Sequence, residues 1–396
     1  MSGCISRRAS TIEPSVTLSL NARYNALREA GEDVVGLAAG EPDFETPDVI
    51  KEAGIKAIRE GKTRYTPGAG IRPLREAVAA EYAKKLGVPY QWKDVVISHG
   101  AKHSIYNALW ALTDPGDEVM FVTPYWVSYP EMVTIVGGVP RIVETGPETG
   151  YRLTVERFKT EVAKHRPKVL LFNSPNNPAG IVYGRDELTA IGEILLEEKI
   201  SLISDEIYEY LTFDGVEHFS PVTLLPSLRD STVVVTGVSK SYAMTGWRVG
   251  FALAEADLAY RMGAFQAHAT GCPNAISQWA ALEAVRSGAA DRDRMRDQFE
   301  KRKRMFGERL SKIPGITYPE PGGAFYFLAD VGFLYERCGV STSAEFCEKL
   351  LKERGLLLIP GGPFGLDNTV RFSFAAGEEQ LKAALERFEA FVSDYS

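Results

Sequence analysis

Short apolar runs recur between Asp94 and Leu253, each closed by small, polar or aromatic residues and followed by a segment with helical spacing. Val95-Val96-Ile97 runs into Ser98-His99-Gly100-Ala101-Lys102, and Glu118 to Val122 into Thr123-Pro124-Tyr125-Trp126. Val169 to Phe172 leads to Asn173-Ser174-Pro175-Asn176-Asn177-Pro178-Ala179-Gly180, and Ile200 to Ile203 to Ser204-Asp205-Glu206-Ile207-Tyr208. The runs do not alternate apolar with polar, which is the pattern of strands covered on both faces. Strand-helix alternation of this kind predicts a mostly parallel sheet flanked by helices. Chemistry-bearing residues gather past the C-terminal ends of the strands, where open α/β sheets hold their ligands.

The fifth run, Val233-Val234-Val235, ends in Thr236-Gly237, and a lone lysine, Lys240, follows. Arg248 stands eight residues on, in a Gly-Trp-Arg-Val-Gly setting that reads as a turn into another strand. Tyr242, Met244 and Trp247 are large neighbours expected to wall Lys240 off from water. A desolvated lysine has a lowered pKa and can couple covalently to a carbonyl.

The flanking segments read differently. The start is an arm and a helix up to Gly31, then a short strand, Val34 to Leu37, entering Gly40-Glu41-Pro42. Gly68-Ala69-Gly70 is not a dinucleotide fingerprint, because no strand precedes it and Pro73 stands where the third glycine belongs. Leu74, Val78, Tyr82 and Leu86 mark one helical face, and Leu381, Leu385, Phe388 and Val392 another. Residues 274–287 and 291–311 are helical, the second carrying Arg292, Arg302, Lys303 and Arg304 and reading mostly as a solvated face. Strands are expected at Ala324 to Leu328, Leu356 to Ile359 and Val370 to Phe374. The 396 residues suit a large domain over 48–295 and a smaller one from 1–47 and 296–396.

A net charge of −7 disfavours nucleic acid and anionic membranes as partners, and no apolar run is long enough to span a bilayer. Arg7-Arg8 has no apolar stretch after it, so no secretory signal is read there. Cys4, Cys272, Cys338 and Cys347 lack paired spacing and, with scattered histidines, predict neither disulfides nor a metal site; a cytoplasmic location is expected.

Taken together, Gly100, Trp126, Asn177, Asp205, Tyr208, Lys240 and Arg248 supply an anion site, a flat aromatic, an amide, a carboxylate, a phenol and two cations. Pyridoxal phosphate (PLP) needs each of these. The segments AAGEPDF, PYWVSYPE, NSPNNPAG, SDEIYE and SKSYAMTGWRVG resemble fold-type I aminotransferases of class I. They are most similar to bacterial aspartate aminotransferases of the subgroup that includes prephenate aminotransferases.

That resemblance implies a large domain with a mostly parallel seven-stranded sheet, a smaller α+β domain from both termini, and a homodimer with active sites at its interface. It implies that Lys240 carries the cofactor and then shuttles a proton, with Asp205 at the pyridine nitrogen, Tyr208 and Asn177 at the ring oxygen, and Trp126 stacked on the ring. Gly100, Ala101, Lys102, Ser239 and Arg248 would surround the phosphate, with Tyr65 reaching in from the other subunit. Arg371 would grip the substrate α-carboxylate, with Gly40 lending its backbone. The expected reaction is ping-pong exchange between L-aspartate and 2-oxoglutarate. Glu13, where relatives often carry lysine, and Ala179 argue against a second substrate carboxylate, whereas Lys102 argues for one. Aromatic or prephenate transamination and a β-lyase are the alternatives on the same fold. A PLP-dependent transcriptional regulator would need an N-terminal helix-turn-helix module, and the residues before the first sheet pattern are already accounted for.

Overall fold

The computed structural model describes residues 5–10, 12–14 and 16–395. Twelve strands follow in order: β1 Val35–Gly36, β2 Val95–Ser98, β3 Glu118–Val122, β4 Val139–Val143, β5 Val169–Asn173 and β6 Ser201–Asp205, then β7 Thr232–Gly237, β8 Gly250–Leu253, β9 Tyr326–Asp330, β10 Leu356–Leu357, β11 Ile359–Pro360 and β12 Thr369–Ser373. Seven of them form the main sheet in the order β2-β8-β7-β6-β5-β3-β4. Strand β8 runs antiparallel to both its neighbours, and the other pairings are parallel. Every residue of β2, β5 and β7 is buried, because helices cover both faces. On one face Leu74, Val78, Tyr82 and Leu86 of the helix Arg72–Leu86 pack with Ala280 and Ala281 of the helix Ala275–Ser287. On the other, Ile105, Ala108 and Leu109 of the helix Ala101–Leu112 pack with Met262 of the helix Ala256–Ala269.

Register decides what meets at the C-terminal edge. Gly237 of β7 and Ser98 of β2 both lie opposite Gly250 of β8, so the segments carrying Lys240, Gly100 and Arg248 leave the sheet side by side. Asn173 pairs with Asp205, and Asp205 with Val235, which brings the next two strand ends to the same place. A side chain at Gly250 would sit 2.2 Å from the Ala101 nitrogen, so only glycine lets β8 approach the Gly100 loop this closely.

The C-terminal segment has its own core. Strands β11, β12 and β9 form an antiparallel sheet, β1 pairs with β10, and Phe306, Phe327, Phe346, Phe372 and Phe388 pack around them. The helix Ala289–Leu310 runs without a break for 22 residues and packs Phe299, Phe306 and Leu310 into this core, which also takes in Leu37, Ile207, Tyr208 and Phe213.

Several expectations need correction. The run Leu356 to Ile359 is not one strand: β10 pairs with β1, and β11 turns to pair with β12. Strand β4 went unread because Pro140 and Arg141 interrupt its apolar pattern, which an edge strand tolerates. The helix Ala289–Leu310 is less solvated than its charge implied: Lys303 is 5% exposed and pairs with Asp214 and Glu320. Tyr242 and Met244, close to Lys240 in the chain, are buried in the core, with Trp247 packed against it. Cys4 and Ser15 lie outside the described residues. The described thiols Cys272, Cys338 and Cys347 are free, and no described helix is long and apolar enough to cross a membrane.

Candidate active site

A cleft of about 310 Å³ opens at the C-terminal edge of the main sheet, within the size range of small-molecule sites. Gly40, Ala101, Lys102, Trp126, Asn177, Asp205, Tyr208, Ser239, Lys240, Arg248 and Arg371 all line it. Gly100 stands at its edge as the residue before the helix Ala101–Leu112, with φ +88°. An added Cβ there would lie 2.4 Å from the Arg248 guanidinium, so bare backbone and the helix N-terminus face a cation. Arg248, at φ +55°, is fixed by donating to the carbonyls of Thr245 (2.8 Å) and His99 (3.2 Å).

Asp205 ends β6 at 4% exposure. Its carboxylate accepts from the Tyr129 phenol at 2.7 Å and from the Ile207 N–H at 3.3 Å. Burial pushes its pKa up to about 6 against the pull of those donors. The Lys240 ammonium donates to the Gly40 carbonyl at 2.5 Å, and burial lowers its pKa to about 8. Tyr208 lies on the turn past β6 rather than on the strand; its hydroxyl and that of Tyr326 share a 2.9 Å hydrogen bond. Burial raises the Tyr208 phenol pKa far above its usual value, so it stays a neutral donor.

Arg371 leaves β12 at 1% exposure, flanked by the rings of Tyr326 (4.4 Å) and Phe364 (5.2 Å). It donates to Asn177 Oδ1 at 2.9 Å and to the Ala38 carbonyl at 2.8 Å, while its Nε is buried without a partner. A buried guanidinium with an unsatisfied donor has room for one more acceptor. Lys102 is exposed at the cleft mouth, its Nζ 4.9 Å from the Trp126 ring centroid. Glu13 is exposed and Ala179 buried, and neither lines the cleft. Tyr65 is not in the cleft either: it is 98% exposed, beside Arg64 and Cys272.

A strand-end lysine with lowered pKa, a buried carboxylate and a glycine-arginine anion cradle, all in one cleft, narrow the chemistry to one class. A family model described as aminotransferase class I and II matches residues 32–388. The chain belongs to this family. The aspartate aminotransferase of Geobacillus stearothermophilus is 40% identical over 388 residues, 98% of each chain. A Thermus aquaticus protein named as a probable aspartate/prephenate aminotransferase is 43% identical over 387 residues, 97% of this chain and 98% of its own. Among solved structures, the aspartate aminotransferase of Thermus thermophilus with maleate has a TM-score of 0.92 at 40% identity, covering 98% of this chain and 100% of that one.

The cofactor of this aminotransferase is PLP, and the donor set fits it. Asp205 is a buried carboxylate facing the cleft with no cation in contact, as a protonated ring nitrogen requires. Gly100 and Arg248 form a cradle that a side chain would fill. Sequence reasoning missed three residues. Tyr129 was inside the quoted PYWVSYPE segment, three residues after Trp126, but nothing in the spacing shows that it bonds Asp205. Ala38 opens the AAGEPDF segment and Tyr326 comes from a segment read only as a strand, and their contacts with Arg371 and Tyr208 join residues more than 100 positions apart.

Proposed function

We propose that this aminotransferase exchanges the amino group of L-aspartate with 2-oxoglutarate by a ping-pong mechanism. The carrying observation is the distribution of cleft cations: of Lys102, Lys240, Arg248 and Arg371, only Lys102 is left over for a second substrate carboxylate. Relatives named for aspartate, or for aspartate and prephenate, support the same reading.

In this reading Arg371, oriented by Asn177, takes the α-carboxylate in a bidentate grip, using donors that burial has stripped of water. Gly40 forms the adjoining wall, and Trp126 would supply a flat face for the ring. Bound PLP supplies the electron sink that makes the substrate Cα proton acidic. Lys240, with a pKa near the working range, would accept that proton and return it. Asp205 would keep the ring nitrogen protonated, and the neutral phenol of Tyr208, with Asn177, would donate to the ring oxygen. Gly100, Ala101, Ser239 and Arg248 would hold the phosphate, which leaves Lys102 to the substrate. Tyr65 completes that cradle from a second subunit, and two domains, 48–295 and 1–47 with 296–396, enclose the cleft. A cytoplasmic location belongs to the same reading.

A donor panel tests the substrate. Lys102→Ala should raise KM for aspartate about 10- to 100-fold, the scale of one charge-assisted contact, and leave an uncharged donor such as alanine unaffected. Equal losses for both donors would remove Lys102 from substrate recognition and aspartate from its leading place.

A further inference from the structure

Asp205 is the carboxylate assigned to the ring nitrogen, yet no cation touches it. What does hold it is a phenol from a neighbouring element. Tyr129 opens the helix Tyr129–Ile135, and its backbone N–H donates to the Trp126 carbonyl at 2.9 Å. Its ring is 1% exposed and meets Trp126 edge-on, with centroids 5.6 Å apart at 89°, and Phe121 at 6.1 Å and 66°. The ring therefore has little freedom to turn, and the hydroxyl reaches Asp205 Oδ2 at 2.7 Å. Oδ1 receives only the long Ile207 N–H contact of 3.3 Å.

We propose that Tyr129 is a positioning residue for Asp205: its phenol fixes one carboxylate oxygen, and so sets both the aim and the charge that Asp205 presents to a cationic ring nitrogen. One turn of chain then carries both the indole placed against the ring face and the phenol placed behind its acid. The groups acting on Asp205 have opposite effects. Tyr129, the Ile207 N–H and Lys240 favour the ionised form, whereas burial and the neighbouring Glu206 disfavour it. Tyr208, also close by, stays neutral. Among the donors that touch the carboxylate, Tyr129 makes the shorter contact, and its own ionisation is suppressed by burial. Removing its hydroxyl leaves Asp205 to protonate at higher pH, and a protonated acid cannot pair with a pyridinium.

The inference rests on the assignment of Asp205 to the ring nitrogen, and the experiment separates the two. Apoprotein is titrated with PLP by fluorescence quenching between about pH 6 and pH 8.5, for wild type, Tyr129→Phe, Tyr129→Met and Asp205→Asn. The titrations of PLP itself and of Lys240 are common to wild type and both Tyr129 variants, so the ratio of affinities isolates Asp205. The Tyr129 variants should bind about fivefold more weakly than wild type near pH 6 and about threefold more weakly near pH 6.5, and converge on it near pH 8.5, the ratios that a one-unit rise in the Asp205 pKa produces. A loss of packing alone would lower affinity by the same factor at every pH. Parallel curves from both Tyr129 variants, with Asp205→Asn weakened, would overturn the role of Tyr129 and leave that of Asp205 intact. Wild-type affinity in Asp205→Asn would overturn both.

Discussion

Lys240 is held ready as an amine by its surroundings. With a pKa of about 8, roughly a tenth of it is neutral at pH 7, against well under a thousandth for an exposed lysine. Lys240→Ala should therefore lose turnover by at least about 10³-fold while still binding PLP weakly, measured by single-turnover absorbance; near-normal turnover would mean that another lysine does the work. Asp205 shows the opposite side of burial. A carboxylate whose folded pKa of about 6 exceeds its ordinary value binds extra protons in the folded state, so stability falls as pH rises from about 4 to 6 and stays lowered above that. Cofactor-free Asp205→Asn should then be more stable than wild type at pH 7.5, by up to about 3 kcal/mol, with the gap shrinking toward pH 5 in urea unfolding. A gap that ignores pH would contradict the buried charge. Both residues were legible in the sequence because each follows a buried strand in a distinctive setting. Tyr129 was not, since its function comes from a contact made across 76 positions of chain.

Elements place these residues through register. The apolar runs of β2, β5 and β7 could be read directly because burial on both faces leaves no polar interruption. The helix Ala289–Leu310 could not: its inward stripe is Phe299, Lys303, Phe306 and Leu310, and the lysine disguised the period. Lys303→Ala should destabilise the fold by about 1–3 kcal/mol in thermal or urea unfolding, because Asp214 and Glu320 lose a buried partner. Gly100 is the tightest point of the edge. Gly100→Ala combines an unfavourable φ of +88° with displacement of Arg248, so PLP affinity should fall at least about tenfold in an equilibrium titration, on top of about 1–2 kcal/mol of strain. Wild-type affinity in that variant would show that the cradle does not hold the phosphate.

At the scale of the whole molecule, the proposed dimer gives Tyr65, 98% exposed and outside the cleft of its own chain, a place in the cleft of a second subunit. Tyr65→Ala should leave unfolding of the isolated subunit within about 0.5 kcal/mol of wild type, as surface changes do, yet weaken PLP retention by the assembled protein. Dialysis of the holoenzyme followed by absorbance would show it, and unchanged retention would place the cradle within a single subunit. Fold class was legible from the strand-helix alternation alone, whereas substrate choice was not, because only folding shows that Lys102 and Arg371 line the cleft and Glu13 does not. The hydrogen bond from Lys240 to the Gly40 carbonyl spans 200 positions of chain and joins the N-terminal segment to the end of β7. While that bond lasts, the lysine acts as a clasp between two walls of the cleft. The ammonium has three N–H donors, whereas a nitrogen coupled covalently to a carbonyl keeps at most one, so arrival of a ligand at the amine also loosens its hold on the Gly40 loop.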